Sequence, residues 1–342
     1  MRVAAVRAGG QTGVDRAALD YAVSHRIPYS GWCPRGGLAE DHKSPPGVLA
    51  HYPLLCETPS DDPAQRTAWN VRDSHATLIL YRDAELENSP GTVLTREMAE
   101  SIFLRPCLAL DIHHAKGAET VRDWLEHIAL ILNVERLVLN MAGPRESQAP
   151  GIRAETLAFL AELFQPFSIW LIPVEESRPE LSTIINNLAA RHHTPRFEPH
   201  VTLCSGNILT AGSPEELADR LDRCCAPLAP ISAGFDRLEH TDRYLTYFFA
   251  RLGSDAAAQV TNLQSPLSAV LDAPGTPEIG LHLSLMYCEP DNAIDRSQLA
   301  REVKPRLPSR VLFDRIRLVM PARGDWRDVA NWQIVHTAKL GG

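Results

Sequence analysis

The sequence predicts two folded units: an N-terminal α/β unit built on a doubly wound parallel sheet, and a C-terminal α+β unit. The chain has 342 residues, which is more than one compact domain usually contains. Strands and helices alternate up to about residue 165, whereas paired strands dominate the rest. Gln165-Pro166-Phe167 interrupts the last predicted helix of the first half. We therefore predict domains of residues 1–165 and 167–342.

Four apolar runs in the first half are typical of strands in a parallel sheet. They are Val3–Ala8, Ala76–Tyr81, Cys107–Ile112 and Arg136–Met141. The segments between these runs carry apolar residues at helical spacing. We predict helices over Val14–His25, Thr92–Leu104, Ala118–Leu132 and Ile152–Phe164. Strands that alternate with helices in this way favour a Rossmann-like sheet with helices on both faces.

The second half begins with a strand and a helix and then changes to hairpins. We predict the strand at Phe167–Ile172 and the helix at Pro179–His192, in which Pro179 suits the first helical position. The remaining predicted elements are a strand at His200–Leu203, a hairpin of Ile231–Leu238 and Tyr244–Arg251, a helix over Ser254–Leu267, a strand at Leu281–Tyr287, and a terminal hairpin of Arg310–Val319 and Trp332–Lys339. Paired strands with few helices between them are typical of an α+β fold.

Composition and charge narrow the classes of function. The formal net charge is −8 and no basic stripe is evident, so we expect no binding of long nucleic acid. The seven cysteines form no Cys-x-x-Cys pair and no Cys/His spacing typical of zinc, so we expect no disulfide framework, no metal and no other cofactor. No apolar run approaches the roughly 20 residues of a membrane helix. The charged start of the chain resembles that of a signal peptide, but the glycines and charges that follow leave no apolar h-region. We expect a cytoplasmic protein and leave its oligomeric state open.

Two short predicted strands repeat the order histidine, apolar, hydroxyl, apolar. They read Pro199-His200-Val201-Thr202-Leu203 and Leu281-His282-Leu283-Ser284-Leu285. Side chains two residues apart project from the same face of a strand, so each strand would present an imidazole beside a hydroxyl. The alternate residues, Val201, Leu203, Leu283 and Leu285, would point into the core. One such motif is usually structural, but two in matching strands of one domain indicate a catalytic pair.

A pair of imidazoles suits the opening of a cyclic phosphodiester. That reaction needs a base to deprotonate water and an acid to protonate the departing alkoxide, and histidine can serve either role near neutral pH. The hydroxyls of Thr202 and Ser284 can donate to the non-bridging phosphate oxygens, where negative charge accumulates. We therefore predict that His200, Thr202, His282 and Ser284 are catalytic and that the substrate is a small cyclic phosphate. The residues alone do not say which histidine is the acid.

Both motifs resemble those of the 2H phosphoesterase superfamily, and the second half is similar throughout to the plant and fungal cyclic phosphodiesterases. Further resembling segments are Asp242–Leu245, Phe313–Leu318 and Trp332–Val335. The resemblance implies a bilobal fold with both histidines in a central groove, metal-independent hydrolysis, and 2′,3′-cyclic nucleotides or ADP-ribose 1″,2″-cyclic phosphate as substrates. It also implies that His200 is the acid, that His282 is the base and that Tyr287 lines the substrate pocket. Tyr244 lines the pocket too or belongs to the core.

The first predicted strand ends in a glycine-rich turn that opens a helix. The turn consists of Gly9, Gly10, Gln11, Thr12 and Gly13. Backbone N–H groups at a helix start suit a phosphate, although this turn is neither a Walker A loop nor a Gly-x-Gly-x-x-Gly fingerprint. A second pair, Gly91 and Thr92, also lies at a predicted helix start. We predict a nucleotide or phosphate pocket built from both segments, with Arg35 and Arg145 either as phosphate partners or in structural ion pairs.

Blocks throughout the first half resemble the bacterial molybdenum-carrier family, which is Rossmann-like and similar to the SLOG nucleotide-binding superfamily. They include Gly9–Asp15, Gly31–Gly36, Asn70–Ser74, Ser89–Thr92 and Leu139–Ser147. The resemblance implies binding of a nucleotide or an ADP-ribose derivative. Thr95 stands where related phosphoribohydrolases carry their catalytic glutamate, which argues against N-glycosidic hydrolysis. Three functions follow: a phosphodiesterase fused to a nucleotide-binding domain, a nucleotide sensor that regulates the phosphodiesterase, or a molybdenum-cofactor carrier.

Overall fold

The computed structural model describes residues 1–82, 89–271, 273 and 279–341. The chain forms two compact units, Met1–Phe164 and Gln165–Gly342. The first contains a parallel sheet and the second an antiparallel one. The predicted combination of a doubly wound α/β fold and an α+β fold is confirmed.

The described residues of the first unit include seven strands. They are β1 (Arg2–Arg7), β2 (Tyr29–Ser30), β3 (Trp32–Cys33), β4 (Cys56–Glu57), β5 (Ala76–Tyr81), β6 (Cys107–Asp111) and β7 (Arg136–Ala142). Five of them form a parallel sheet in the order β2-β1-β7-β5-β6, and β3 pairs with β4. The four strands predicted from apolar runs are the four longest, and the two central ones, β7 and β5, are buried over most of their length because helices cover both faces of such a sheet. The two-residue strands carry no such pattern and were not predicted.

Helices in this unit are α1 (Val14–Ser24), α2 (Pro63–Arg72), α3 (Pro90–Glu97), α4 (Gly117–Leu132) and α5 (Ile152–Phe164). The prediction that Thr92–Leu104 is helical is confirmed as far as Ile102, but the helical segment begins earlier, at Pro90, and its part after Glu97 is a π-helical turn. In that turn the Phe103 N–H donates to the carbonyl of Met98, five residues earlier. Helix α2 was not predicted, although Asp62 accepts from the Ala64 N–H as its N-cap and Pro63 occupies the first turn.

Eight strands form the antiparallel sheet of the second unit. They are β8 (Pro166–Pro173), β9 (Val201–Asn207), β10 (Ile231–Ala233), β11 (Phe235–His240), β12 (Phe248–Leu252), β13 (His282–Met286), β14 (Val311–Pro321) and β15 (Trp332–Lys339). The order is β10-β14-β8-β9-β13-β12-β11, and β15 pairs with β14. Every residue of β8 is buried, so the middle of the sheet is covered on both faces. The predicted terminal hairpin is confirmed as β14 and β15.

The helices of this unit are α6 (Arg178–His192), α7 (Ile208–Ala211), α8 (Pro214–Cys225), α9 (Ser254–Val270) and α10 (Arg296–Val303). Helices α8 and α10 were not predicted, although Ser213 and Asp295 cap their first turns through side-chain oxygens. Pro179 is the second helical residue of α6 rather than the first, because α6 begins at Arg178.

The predicted hairpin between the two histidine motifs is only partly right. The first predicted strand is interrupted at Gly234: β10 before it pairs with β14, and β11 after it pairs with β12. The second predicted strand begins later than expected, because Tyr244–Thr246 forms a 3-10 turn. Tyr244 therefore lies in the connection ahead of β12, not in a strand.

Candidate active site

The two histidine motifs lie side by side. Strands β9 and β13 are antiparallel neighbours, with Val201 paired to Leu283. Continuing this register by one residue in each direction puts Ser284 opposite His200 and Thr202 opposite His282. Val201, Leu203, Leu283 and Leu285 are all 0% exposed in the core, as predicted. Strand alternation therefore brings two imidazoles and two hydroxyls together on the other face of the sheet.

Each imidazole is held by a backbone carbonyl two residues earlier in the chain. His200 Nδ1 lies 2.7 Å from the carbonyl oxygen of Glu198, and His282 Nδ1 lies 2.8 Å from that of Gly280. A carbonyl oxygen can only accept, so Nδ1 carries the proton in both rings. In each neutral ring Nε2 is therefore the basic nitrogen, which fixes the atom that can exchange a proton with a substrate.

Burial favours the neutral form of both imidazoles. His200 is 5% exposed and His282 is 8% exposed. Burial lowers the pKa of His200 to about 4; the hydrogen bond to the Glu198 carbonyl opposes this shift, and a charge on His282 adds to it. Burial also lowers the pKa of His282, against the effect of the Gly280 carbonyl. One of the two rings must therefore gain a proton before it can act as an acid.

Aromatic rings enclose His200. The indole of Trp170 is stacked on the imidazole, with ring centres 3.7 Å apart and planes 10° apart. Tyr287 is stacked on Phe197, and its hydroxyl lies 3.5 Å from His200 Nε2. The Trp332 ring is centred 5.8 Å from that of Tyr287. The sequence had indicated only Tyr287, because the other rings come from segments whose proximity depends on strand register.

Tyr244 lies next to this aromatic wall rather than against His200. Its ring is centred 6.1 Å from that of Tyr287. The guanidinium of Arg327 covers it at 5.2 Å, and Arg327 also forms an ion pair with Glu289. The half-buried ring is thus placed between the pocket residue Tyr287 and the surface.

The two hydroxyls differ in their hydrogen bonding. Ser284 is buried, and its Oγ donates to the carbonyl of Leu245 at 3.1 Å. Thr202 is half-buried, and within the described part of the chain no hydrogen bond is recorded for its hydroxyl. The Ser284 hydroxyl is therefore engaged by the main chain, whereas among the described residues that of Thr202 is not.

The glycine-rich turn of the first unit already holds an anion of its own. The N–H of Gly9 donates to the Asp15 carboxylate at 3.1 Å, and that of Gln11 also bonds to it. Asp15 is 4% exposed and forms an ion pair with Arg66 at 3.0 Å. A Cβ atom on Gly9 would lie 2.0 Å from the Arg66 guanidinium, so the turn packs tightly against the ion pair of Asp15 and Arg66. These backbone donors, predicted for a phosphate, are occupied by a side chain.

The rest of the turn takes part in a polar network. Gln11 Oε1 accepts from the backbone N–H groups of Thr12 and Glu40 at 3.1 and 2.9 Å. The Thr12 hydroxyl donates to the Glu40 carboxylate. A cleft of about 500 Å³ opens beside Thr12 and Gly13. Its other walls include Arg16, Tyr52, Glu146 and Arg153, so a nucleotide-sized cavity does adjoin the turn.

The remaining residues predicted for the nucleotide pocket differ in their exposure and in their contacts. Gly91 is exposed, and a Cβ atom there would meet nothing within 4 Å. Thr92 is 1% exposed, and its hydroxyl donates to Ser89 Oγ at 2.8 Å. The Arg35 side chain is 64% exposed and 3.8 Å from Asp61. Gly10 has a φ of +76°, and Arg145 is half-buried.

In the part of the chain that the structure describes, no helix is both long and apolar enough to cross a bilayer. Over the same residues, no group of three or more His, Cys, Asp or Glu side chains is placed to hold a metal ion.

Family models match both halves of the chain. Residues 6–164 match the circularly permutated YpsA SLOG family, and residues 144–325 match the 2′-5′ RNA ligase superfamily. The Putative molybdenum carrier protein from Syntrophus aciditrophicus is 36% identical; the match covers 47% of this chain and 94% of that protein, with a TM-score of 0.39.

Two further proteins resemble the second half. The cyclic phosphodiesterase of Arabidopsis thaliana is 28% identical over 123 residues, which are 36% of this chain and 65% of the plant protein. The chain thus spans slightly less than two thirds of that relative. The crystal structure of E. coli LigT complexed with phosphate is 13% identical and matches 52% of this chain and 99% of LigT, with a TM-score of 0.34.

Proposed function

Since the chain belongs to the 2′-5′ RNA ligase superfamily and carries a SLOG-family unit before it, we propose that its second unit hydrolyses a small cyclic phosphate ester with His200 and His282. The observation that carries this proposal is the matched pair of imidazoles on neighbouring strands. Each ring has Nδ1 bound to a carbonyl two residues earlier, so that each offers Nε2 as the exchangeable nitrogen. Two imidazoles on neighbouring strands suit a reaction in which one group removes a proton from water and the other gives a proton to the leaving oxygen.

In the proposed reaction water attacks phosphorus, and one of the two ring P–O bonds breaks. His282 Nε2 accepts the proton of the water, and His200 Nε2 gives a proton to the departing oxygen, so the product is a phosphomonoester. This order of roles follows the family resemblance. Thr202 and Ser284 donate to the non-bridging oxygens, and Tyr287 and Tyr244 line the pocket.

The charge of the substrate determines whether His200 is protonated when the proposed reaction begins. With its pKa lowered to about 4, buried His200 is neutral at pH 7 in the absence of a substrate charge. A phosphodiester anion beside the ring favours the imidazolium, because an opposite charge at close range raises the pKa of a base. We therefore expect His200 to be protonated as the substrate binds. The substrates proposed are 2′,3′-cyclic nucleotides and ADP-ribose 1″,2″-cyclic phosphate.

Product analysis tests this function directly. The full-length protein would be incubated with a panel of cyclic phosphates, with and without EDTA, and the products separated by position of the phosphate. We expect one phosphomonoester isomer from at least one substrate, at the same rate in chelator. No hydrolysis of any panel member, or activity that EDTA removes and a divalent ion restores, would contradict the proposal.

A second function is favoured by the cleft beside the glycine-rich turn. We propose that the first unit binds an adenine nucleotide or an ADP-ribose derivative at the turn Gly9–Gly13, together with Gly91 and Thr92. Thr12 and Gly13 line the cleft, whereas Gly91 and Thr92 are not among its lining residues. Arg145 and the exposed Arg35 are the proposed phosphate partners. The cleft volume of about 500 Å³ is within the range of small-molecule sites. Calorimetry with a nucleotide panel and with molybdate tests it: tight molybdate binding without nucleotide binding supports a carrier instead. Nucleotide effects on turnover test the sensor role.

A further inference from the structure

Arg251 lies beside His282 and contacts the turn that precedes it. Strands β12 and β13 are paired so that Arg251 is the cross-strand partner of His282, and their side chains therefore share a face of the sheet. Nη1 of Arg251 donates to the carbonyl of Ile279. The next carbonyl, that of Gly280, is the one that accepts from His282 Nδ1. The guanidinium thus holds the peptide that leads into the orienting hydrogen bond.

The turn is shaped to receive the guanidinium. Gly280 has a φ of +75°, a conformation that favours glycine. A Cβ atom there would lie 2.9 Å from Nη1 of Arg251. Any other residue at this position would push the arginine away from Ile279, so the close approach depends on glycine.

Glu239 fixes the other side of the guanidinium. Nε of Arg251 donates to its carboxylate at 2.8 Å, and Nη2 donates to the same oxygen. One planar group therefore bridges a carboxylate on β11 and a carbonyl of the turn. A lysine ammonium is a single point on a flexible stem and does not reproduce this fork. Arg237 also pairs with Glu239, but its side chain is 67% exposed and no contact with Ile279 is recorded for it.

Arg251 and Glu239 also affect the pKa of His282 through their charges. Beyond burial and the Gly280 carbonyl, Arg251 lowers the pKa of His282 and Glu239 raises it. His200, immediately before β9, is a further titratable group that interacts electrostatically with this ring. The Phe249 ring, centred 4.6 Å from the imidazole, adds no charge. The Arg251–Glu239 pair therefore has two effects on His282, one geometric and one electrostatic.

We propose that Arg251, anchored by Glu239, is a positioning residue for His282: it holds the Ile279–Gly280 turn so that Nδ1 stays protonated and Nε2 is directed to the substrate. The proposal rests on the proposed function in one respect, the role of His282 as the base. Its geometric part concerns the substrate-free protein and is measurable without any reaction.

Three variants of the full chain separate the two effects. Arg251→Lys keeps the charge and loses the fork, Arg251→Gln loses both, and Arg237→Gln is the matched control that also removes an arginine from Glu239. Two measurements are made on each: kcat/KM against pH with a hydrolysed cyclic phosphate, and ¹⁵N NMR of the histidine side chains in the substrate-free protein. Thermal melts establish that each variant is folded.

We expect both Arg251 variants to lose about 10- to 100-fold in kcat/KM, the range seen when a catalytic group loses its supporting contacts. NMR should show mixed tautomers for His282 in both. The acidic limb of the profile should move to higher pH only in Arg251→Gln, because Glu239 then favours the imidazolium. Arg237→Gln should stay within about 2-fold of wild type.

Other outcomes decide between the two proposals. A single Nδ1–H tautomer of His282 with kcat/KM within about 2-fold of wild type in Arg251→Lys would overturn the positioning role. If Arg251→Gln does not fold, Arg251→Lys alone decides. If the wild type hydrolyses no cyclic phosphate but the His282 tautomer is lost in the Arg251 variants, positioning stands and the proposed function falls.

Discussion

The histidine groove and the glycine-rich turn differ in the kind of atom they offer to a ligand. In the groove the candidate atoms are side-chain nitrogens, and the hydrogen bonds at Nδ1 of His200 and His282 leave Nε2 as the basic nitrogen. In the turn the candidates are backbone N–H groups, and those of Gly9 and Gln11 are bound to Asp15. Both regions were predicted from short sequence motifs. In the turn, however, some of the backbone donors that a phosphate would need are already hydrogen-bonded to a carboxylate of the protein.

This difference has a physical origin. A strand sends alternate side chains to opposite faces whatever surrounds it, so spacing alone indicates what shares a face. Backbone donors at a helix start attract any nearby anion, including an acidic side chain of the same chain. Asp15 is visible in the sequence two residues after Gly13, within the first turn of the helix. An acidic residue at that position of the sequence therefore indicates that the backbone N–H groups of such a turn are hydrogen-bonded to a side chain of the same protein.

The largest effect is expected from removing either histidine. His200→Ala or His282→Ala should lower turnover by about 10²- to 10⁴-fold, the usual contribution of a positioned acid or base. His336→Ala is the control, because His336 pairs with Leu318 on the core side of the sheet and bonds to Asp222. Steady-state kinetics on the three variants measures this. Near-normal turnover of His282→Ala would refute its role.

The second prediction concerns the acid in the turn. Asp15→Asn should lower the free energy of unfolding of the first unit by about 3–5 kcal/mol, because it leaves Arg66 as an uncompensated buried charge. Asp61→Asn, which breaks the exposed contact with Arg35, should cost no more than about 1 kcal/mol. Urea denaturation compares the two. Equal small losses would mean that Asp15 does not hold the turn together.

The third prediction is a pH dependence of stability. Unfolded chains protonate histidine below about pH 6.5, whereas folded His200 takes up a proton only near pH 4. The free energy of unfolding should therefore fall as pH drops from 6.5 to 4, by about 3 kcal/mol for this residue. His200→Asn removes the group. Urea midpoints at pH 7.5 and 4.5 should differ less in this variant than in the wild type; an equal difference would contradict the low pKa.

The smallest structural effect is expected at Gly91, which makes it the sharpest probe of ligand binding. Gly91→Leu should leave stability unchanged, because among the described residues no atom outside its own helix and chain neighbours lies within 4 Å of its Cβ position. It should weaken nucleotide binding to the first unit and leave hydrolysis by the second unit intact. Calorimetry and turnover measure these. Gly10 is a poorer probe, since its φ of +76° makes any side chain there costly.

The sequence predicted the fold class of both units because their longer elements repeat with clear periods. It also predicted the imidazoles and hydroxyls, which alternate along β9 and β13. It did not indicate Trp170 or Trp332 beside His200, since β8 and β15 approach the groove through a register that the local pattern does not encode. Arg251 was missed for the same reason. What escaped prediction is mostly cross-strand pairing between segments distant in the chain.

The line between β9 and β13 is also where the antiparallel sheet is joined most weakly. Among the described residues, strand β8 is paired with β9 and with β14 over most of its length, whereas β9 and β13 are paired at Val201 and Leu283. Main-chain hydrogen bonding therefore opposes separation of the two halves of the sheet least along the line between the two histidine motifs. The spacing of β9 and β13 is thus the dimension of this sheet that a bulky substrate would change at the lowest cost in main-chain hydrogen bonds.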